Sequence, residues 1–235
     1  MQPETGVLES VLRLLAGQDG GALWRIVTLS LLVSGSATVL ASLLGLPLGA
    51  LVALRRFRGR AVVVVTLNAM MGLPPVVVGL VVYLLLSRAG PLGPLGLLFT
   101  PQAMVLAQTL IVLPIVTALT RQVIEDEWRE FGEQLRSLAA TPLQSALILL
   151  RDARFSLATV VMAGFGRAAA EVGAVMIVGG NIDGVTRTMT TAIALETSKG
   201  DLPLALGLGA VLVALVLSVN AAVHGLRAWA ARRHG

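Results

Sequence analysis

Long runs of residues without charge dominate the chain. No Asp, Glu, Lys or Arg occurs between Arg25 and Arg55, between Arg60 and Arg88, or between Asp201 and Arg227. Crossing the hydrocarbon core of a bilayer, about 30 Å thick, takes about 20 helical residues. Each run is long enough for that, so the pattern predicts three helices that cross a membrane.

Two further spans follow from the remaining pattern. The uncharged stretch after Arg88 exceeds one helix, and its first part, residues 90–94, is rich in Gly and Pro and predicts a turn. Residues 155–178 are apolar apart from Arg167 and Glu171, which indicates a span with a polar interior. The predicted spans are 23–54, 61–87, 102–121, 155–178 and 203–226. The expected fold class is therefore all-α, a polytopic membrane bundle of about five transmembrane helices.

The composition agrees with a membrane protein and excludes other classes. Hydrophobic residues make up 56% of the chain and charged residues 13%, against roughly 25% charged residues in soluble domains. The chain has no Cys, two His and 4% aromatic residues. These numbers exclude disulfides and thiolate metal sites, disfavour a histidine metal site and leave no stacking surface for nucleic acid.

The basic residues predict the orientation, since cytoplasmic loops carry the excess of Lys and Arg. With five spans, one side receives twelve of the 18 basic residues, namely Arg55, Arg56, Arg58, Arg60, Arg121, Arg129, Arg136, Arg151, Arg154, Arg227, Arg232 and Arg233. The other side receives Arg13, Arg25, Arg88, Arg187 and Lys199. We therefore expect a multi-pass protein of the cytoplasmic (inner) membrane, with its N-terminus outside and its C-terminus in the cytoplasm.

One membrane domain accounts for residues 22–228. Residues 1–21 carry Glu4, Glu9 and a short apolar run, and an amphipathic helix at the outer interface is favoured over disorder for this segment. A basic n-region does not precede a continuous apolar run, so a cleaved signal peptide is not expected. Residues 229–235 are expected to form a cytoplasmic tail.

The connection at 122–154 is the most informative segment of the chain. Its first part is highly charged and predicts a helix that continues out of the third span. After Ala139-Ala140, Thr141 fits an N-cap, Pro142 the first helical position and Gln144 a capping box. Two helices would thus meet at a corner of small residues. The corner either packs on its own bundle or docks a soluble partner.

The residues of this corner resemble a known motif. Residues 133–142, with the sequence EQLRSLAATP, resemble the EAA loop of ABC-importer permeases, the coupling helix that sits in the ATPase subunit. The segments GLPLGA at 45–50, MGLPPVVVG at 71–79 and EVGA at 171–174 are similar to the tungstate/molybdate branch of that family. The segments GGNI at 179–182 and MTTAIALET at 189–197 are similar to tungstate permeases in particular.

The EAA loop departs from the usual pattern at three places. Gln134-Leu135 occupies the positions of Ala-Ala, Ala139 that of Gly, and Arg151-Asp152 that of a later Leu-Pro. These departures bear on the detailed fit of the coupling helix.

The resemblance implies a type I importer permease and its partners. These partners are a second copy of the chain, two ABC ATPase subunits and an extracytoplasmic oxyanion-binding protein. The residues implied in ATPase coupling are Glu133, Leu138, Ala139, Ala140, Thr141, Pro142 and Leu143. The chain itself has no phosphate-binding loop sequence, so it is expected to be no enzyme and to need no cofactor, with ATP and Mg²⁺ held by the partner subunits.

Two features inside the predicted spans are candidates for the translocation pathway. Arg167 and Glu171 are four residues apart, so on one helix they would share a face and pair. The pair either lines the pathway or joins helices at a packed contact. Pro74-Pro75 is expected to break the second span near mid-membrane, where a break either marks a transport site or is a structural kink.

A third candidate lies outside the membrane. Gly180 and Asn181 precede a hydroxyl-rich segment that contains Arg187 and Thr190, followed by a helical stretch at 192–197. A helix N-terminus with hydroxyls and an arginine can hold an oxyanion, which would make this loop a gate or a landing site for the binding protein. The hydroxyls alone are adequately explained as helix caps, which is the favoured interpretation.

The leading hypothesis is the permease of an ATP-driven oxyanion importer, with tungstate preferred over molybdate or sulfate by resemblance. A self-sufficient secondary transporter or channel is the alternative from another class, and a membrane scaffold is a third. A secondary transporter is expected to show internal repeats or a proton-relay carboxylate. No repeat is evident, and Glu171 already has a cationic neighbour.

Overall fold

The computed structural model describes residues 20–234, with side chains described for residue 21 and residues 23–225. Over that range the structure is helical and contains no strand. The helices are α1 (Gly20–Leu54), α2 (Arg60–Met71), α3 (Pro75–Leu86), α4 (Pro101–Ser137), α5 (Pro142–Asp152), α6 (Arg154–Ala169), α7 (Gly173–Gly179), α8 (Met189–Lys199) and α9 (Leu202–His234), with a 3₁₀ turn at Gly93–Leu95.

Within the described residues, three helices are long and apolar enough to cross a membrane by themselves. These are α1 over Leu23–Leu54, α4, and α9 over Leu202–Gly225. Two further pairs reach this length together but are sharply bent: α2 and α3 meet at 99°, and α6 and α7 at 59°. At 1.5 Å per residue α4 is about 55 Å long, so it extends well beyond a hydrocarbon core of about 30 Å.

The bundle has two ends, which we call the α8 end and the α5 end after the short helix found at each. At the α8 end Val33 of α1 and Met104 of α4 share a buried cluster with α3 and α7. At the α5 end Ala50 of α1 and Ile124 of α4 share a second cluster with α5 and α6. Helices α1 and α4 therefore run side by side in the same direction.

Each bent pair runs from one end of the bundle to the other. Arg60, at the start of α2, pairs with Glu125 near the α5 end, and Leu86, at the end of α3, is buried in the cluster at the α8 end. Likewise Leu157 of α6 lies in the cluster at the α5 end and Val178 of α7 in the cluster at the α8 end. The predicted all-α, multi-pass membrane bundle is confirmed.

The second predicted span is broken where its prolines indicated. Helix α2 ends at Met71, and Pro74 adopts an extended conformation as the N-cap of α3, with Pro75 in its first turn. Proline is favoured at that position because its missing N–H is unpaired there anyway. The prolines therefore begin a new helix instead of kinking one.

The prediction of a single helix over 155–178 is wrong. Helix α6 ends at Ala169 and α7 begins at Gly173, so Glu171 lies in the break between them and not on one helical face with Arg167. The helical stretch predicted at 192–197 also begins earlier, at Met189, with Thr188 as its N-cap.

The two helices predicted at the corner are present. Helix α4 continues as a charged helix to Ser137, and α5 begins at Pro142 behind a complete capping box. The amide of Gln144 donates to the Thr141 hydroxyl at 3.3 Å, and the amide of Thr141 donates to the Gln144 side chain at 2.8 Å. This reciprocal pairing fixes the point where the chain turns.

Two glycines allow neighbouring helices to approach closely. One lies between the two bent pairs, and the other lies between the long helices α1 and α4. A Cβ atom on Gly79 of α3 would lie 2.6 Å from the Cα atom of Ala174 in α7. A Cβ atom on Gly49 of α1 would lie 2.6 Å from the carbonyl oxygen of Thr117 in α4. Any larger residue would separate these helices.

The expectations for the chain ends lie mainly outside the described residues. The predicted interfacial segment 1–21 overlaps the structure at residues 20 and 21, which belong to α1. The predicted tail 229–235 falls where side chains are not described.

Candidate functional sites at a helix break and a helical corner

The break between α6 and α7 is organised around the buried carboxylate of Glu171, whose side chain is 3% exposed. Its Oε2 atom accepts a hydrogen bond from Nη1 of Arg167 at 2.8 Å, and its Oε1 atom accepts from the amide of Ala174 at 3.1 Å. Its backbone carbonyl accepts from the hydroxyl of Thr190 at 2.8 Å. One residue thus caps α7, neutralises an arginine and anchors α8.

Arg167 and Glu171 differ in their exposure. The arginine side chain is 32% exposed, whereas the carboxylate is enclosed. A buried charge needs a partner because the surrounding medium does not solvate it. Arg167 supplies that partner, and about a third of its side chain remains exposed at the surface. The predicted pairing is therefore confirmed, although the pair joins a helix end to a break.

A buried amide supports the same break. Nε2 of Gln108, in α4, donates to the carbonyl oxygen of Ala168 at 3.0 Å, close to the end of α6. The Oε1 atom of Gln108 is buried without a hydrogen-bond partner among the described residues. Gln108 borders a cavity of about 20 Å³ that Ser30, Glu171 and Thr190 also line, which is enough for one water molecule. Sequence reasoning missed Gln108, although an amide inside an apolar span was the available signal.

Helix α6 has one packed face and one open face. Val160, Gly164 and Ala168 are buried, and a Cβ atom on Gly164 would lie 3.0 Å from Cγ1 of Val112 in α4. On the other side lies a series of small or polar residues at helical spacing. These open-face residues are Ser156, Thr159, Ala163, Arg167 and, just after the helix, Ala170.

The composition of this open face is unlike that of a lipid-facing surface. On α3 the exposed residues include Val77, Leu80 and Leu84, and on α9 they include Val213 and Leu217. Large apolar side chains of that kind suit contact with acyl chains. Small and polar side chains beside an arginine suit water or a second copy of the helix instead.

The two helix breaks lie against each other. A Cβ atom on Gly173, two residues after Glu171, would lie 2.7 Å from Cγ2 of Val76, directly after the Pro74–Pro75 break. Gly72 and Leu73 on the other side of this break are exposed. The predicted candidates Pro74, Pro75, Arg167 and Glu171 are therefore brought into one region of the bundle.

The candidates at the α8 end form a separate loop. Gly180 and Asn181 both have positive φ angles, 70° and 50°, where α7 ends. Arg187 pairs with the exposed carboxylate of Asp183 at 3.1 Å, and it borders a cavity of about 390 Å³ that Trp24 and Arg25 also line.

The threonine hydroxyls beside this loop are already engaged. The Thr188 amide donates to the Thr191 hydroxyl at 3.0 Å, and Thr190 bonds the carbonyl oxygen of Glu171. These contacts account for the hydroxyls as caps and anchors. That Arg187 helps to bind an oxyanion at this loop stays a prediction.

The corner between α4 and α5 presents apolar side chains outward. Leu138 is 76% exposed, Leu143 72% and Leu147 60%, while Leu135 and Leu149 are buried beneath them. An exposed apolar group of this kind is typical of a protein-binding surface. Glu133, Ala139 and Thr141 are exposed at the same corner, together with Pro142, and Ala140 is half-buried.

Ala139 explains one departure from the EAA pattern. Its φ angle is +52°, in the left-handed region that glycine adopts most readily. The amide of Ala140 nevertheless bonds the carbonyl oxygen of Leu135 at 3.0 Å, which closes the end of α4. Alanine therefore occupies a left-handed turn position in this chain, where the EAA pattern usually has glycine.

A charged cluster that sequence reasoning also missed braces the α5 end. Glu125 accepts from Nη1 of Arg121 at 2.7 Å through one oxygen and from Arg60 through the other. Nε of Arg60 donates to the carbonyl oxygen of Val52 at 2.9 Å. This cluster joins the end of α1 and the start of α2 to α4, immediately before the part of α4 that leads to the corner.

Comparison with known families identifies this arrangement. The family described as "Binding-protein-dependent transport system inner membrane component" matches residues 45–234, which include both helix breaks and the corner. The chain belongs to this family. The resemblance to ABC-importer permeases is thereby confirmed, and the chain is a transport component.

Individual relatives cover most of the permease. A probable anion ABC transporter permease protein of Haloferax volcanii is 44% identical over 83% of this chain and 87% of its own length. The tungstate uptake system permease protein TupB of Peptoclostridium acidaminophilum is 41% identical over 87% of this chain and 90% of its own. TupB of Campylobacter jejuni is 40% identical over 73% of this chain and 72% of its own.

The exposure of the two paired residues predicts how substitutions at the helix break behave. Arg167→Met leaves the buried carboxylate of Glu171 without its cation, so we expect it to lower the free energy of unfolding by about 3 kcal/mol. The double variant Arg167→Met, Glu171→Gln should recover part of this loss, because the amide carries no charge and can still accept from Ala174. Denaturant unfolding of the purified permease measures both values. A double variant less stable than Arg167→Met would contradict this account of the pair.

Proposed function

We propose that the chain is the membrane subunit of an ATP-driven importer for a tetrahedral oxyanion, and that this oxyanion is tungstate. The observation that carries the proposal is the open face of α6, which leads along small and polar residues to the partly exposed side chain of Arg167. The choice of tungstate is supported by two relatives, 41% and 40% identical, that are named as tungstate uptake permeases.

The pathway in this proposal runs between two copies of the permease, with their α6 open faces towards each other. Symmetric pairs of this kind are the commonest oligomers. Arg167 attracts the anion, and Glu171, 2.8 Å away, balances its charge so that the anion is released again. The adjacent breaks at Pro74–Pro75 and Glu171 are the points where the spans rearrange between outward-open and inward-open states.

Two ABC ATPase subunits drive these changes from the cytoplasm. They bind the corner formed by Glu133, Leu138, Ala139, Ala140, Thr141, Pro142 and Leu143, whose exposed leucines offer an apolar contact. ATP and Mg²⁺ belong to those subunits, since the chain carries no phosphate-binding loop sequence. The α5 end then faces the cytoplasm, with the N-terminus outside, in agreement with the distribution of arginines.

The α8 end faces outward in this orientation and receives the extracytoplasmic binding protein. The loop with Gly180, Asn181 and Arg187 is the proposed landing surface. Thr190 links it to the interior through the carbonyl oxygen of Glu171, so contact at this loop is transmitted directly to the break between α6 and α7. Membership of a binding-protein-dependent family argues against a self-sufficient transporter and against a scaffold.

The substrate is tested by comparing oxyanions with the assembled complex in liposomes. Tungstate-loaded binding protein should stimulate ATP hydrolysis and uptake more strongly than the same protein offered molybdate or sulfate at equal concentration. Uptake should require ATP inside the vesicles. Stronger stimulation by molybdate or sulfate would reassign the substrate, and uptake by the chain alone would contradict the ATP-driven mechanism.

The coupling corner is tested by a charge at its most exposed position in α5. Leu143→Glu should reduce co-purification of the ATPase subunits at least tenfold, because it places a charge in an apolar contact. The permease itself should remain folded, since Leu143 is 72% exposed. Thr197→Glu, an exposed site at the other end of the bundle, is the matched control and should bind normally. Equal binding by both variants would remove the corner from the ATPase interface.

Arg187 is tested by removing its charge at the outer loop. Arg187→Ala should slow tungstate uptake about tenfold at low salt, because a positive site at the entrance raises the encounter rate of an anion. Assembly with the ATPase should be unchanged. The control is Lys199→Ala, which removes another cation paired with a carboxylate at the same end. If uptake is unchanged in both variants, Arg187 serves only to hold the loop through Asp183.

A further inference from the structure

An apolar groove lies between α1 and α5 at the α5 end of the bundle. It has a volume of about 290 Å³. Leu48, Leu51 and Leu54 line it from α1, and Leu147 and Leu150 line it from α5. Leu143 of the corner also lines this groove, at the edge that the two share. Leu48, Leu51 and Leu147 are largely exposed in the isolated chain, so the groove is an uncovered apolar surface.

The groove continues into a second pocket of about 590 Å³ whose walls are basic. The residues that line this pocket are Leu54, Arg55, Arg56, Trp128, Arg136 and Pro142. Leu54, Arg55 and Pro142 belong to both cavities. The two form one continuous slot, apolar at one end and basic at the other.

The positive charge of this pocket is not balanced locally. No carboxylate lines it, and Arg55, Arg56 and Arg136 have no acidic partner among the residues that the structure describes. The guanidinium group of Arg136 stacks over Trp128, with its Cζ atom 5.2 Å from the ring centroid. The pocket therefore suits an anionic group flanked by apolar surface.

The position of the slot indicates which kind of anion occupies it. The α1 wall from Pro47 to Leu54 is about 12 Å long and belongs to an apolar helix that can span the membrane. Arg55 and Arg56 follow directly after this apolar helix. Basic pockets at the cytoplasmic ends of transmembrane helices suit anionic headgroups.

We propose that this slot, the basic groove, binds an anionic phospholipid of the inner leaflet. The phosphate lies among Arg55, Arg56 and Arg136, and an acyl chain lies between α1 and α5. The proposal goes beyond the transported substrate and rests on the proposed function only for the orientation of the α5 end. Because α5 also carries the corner, the bound lipid fills the space beneath the coupling helix.

Trp128 offers a direct readout of lipid at the basic groove. The full-length permease is placed in nanodiscs with Trp24 and Trp229 changed to Phe, so that Trp128 is the remaining tryptophan. Brominated phosphatidylglycerol in a phosphatidylcholine bilayer should quench Trp128 at a mole fraction at least tenfold lower than brominated phosphatidylcholine does. Raising the salt concentration from 0.05 to 0.5 M should reduce this preference, since screening weakens the contact of the headgroup with arginine.

The arginines are tested against a matched control. The double variant Arg55→Gln, Arg56→Gln should weaken the preference for phosphatidylglycerol by more than tenfold. Each arginine near the headgroups is expected to contribute about fivefold to the binding of the anionic lipid. Arg129→Gln removes an arginine of the same helix as Trp128 that instead pairs with Asp126, and it should keep the preference. If the double variant does not fold, the salt dependence of the lipid preference in the unchanged chain still tests whether an anionic headgroup is recognised.

Three results would overturn the proposal. Equal quenching by the two lipids would exclude recognition of an anionic headgroup, and an unchanged preference in the double variant would exclude Arg55 and Arg56. Loss of the preference after addition of the ATPase subunits would assign the arginines to an acidic surface of that protein. All three readouts are independent of tungstate transport, so they do not depend on the substrate experiment.

Discussion

The ion pair at the break between α6 and α7 is the constraint on which the bundle depends. The carboxylate of Glu171 is enclosed, and an isolated charge in such surroundings costs several kcal/mol. Arg167 and the amide of Ala174 therefore have to stay close to this carboxylate, and the hydroxyl of Thr190 donates to the backbone carbonyl of the same residue. These contacts end α6, start α7 and tie α8 to the interior, so a single residue sets the relative positions of three helices.

This arrangement links the two ends of the molecule through its middle. The loop at the α8 end reaches Glu171 through Thr190, the second break reaches it through Val76 and Gly173, and α6 continues to the end where α5 lies. An interrupted helix can change direction at its break while the hydrogen bonds within each half stay intact, because surrounding protein groups or water satisfy the backbone groups that the break frees. The permease thus has hinge points near the proposed pathway, and its long helices α1 and α4 form the frame around them.

The sequence predicted the spans and the corner well because both depend on local signals. Gaps between charges delimit apolar helices, and Thr141, Pro142 and Gln144 specify a helix start by themselves. The break at Glu171 was not predicted, since alanines 168–170 favour a helix and only distant partners such as Gln108 and Thr190 end it there. The cluster of Arg60, Arg121 and Glu125 was missed for the same reason, because it joins residues far apart in the chain.

The open face of α6 carries the central claim, and the absence of Cys from the chain allows a direct test. Single cysteines are introduced by Ala163→Cys on that face and Val213→Cys on the apolar face of α9, and each complex is treated with a water-soluble thiol reagent. An aqueous pathway predicts that Ala163→Cys reacts without nucleotide and is protected when ATP is trapped on the ATPase, while Val213→Cys never reacts. If both cysteines react only with a membrane-permeant reagent, the face contacts lipid and the account is contradicted.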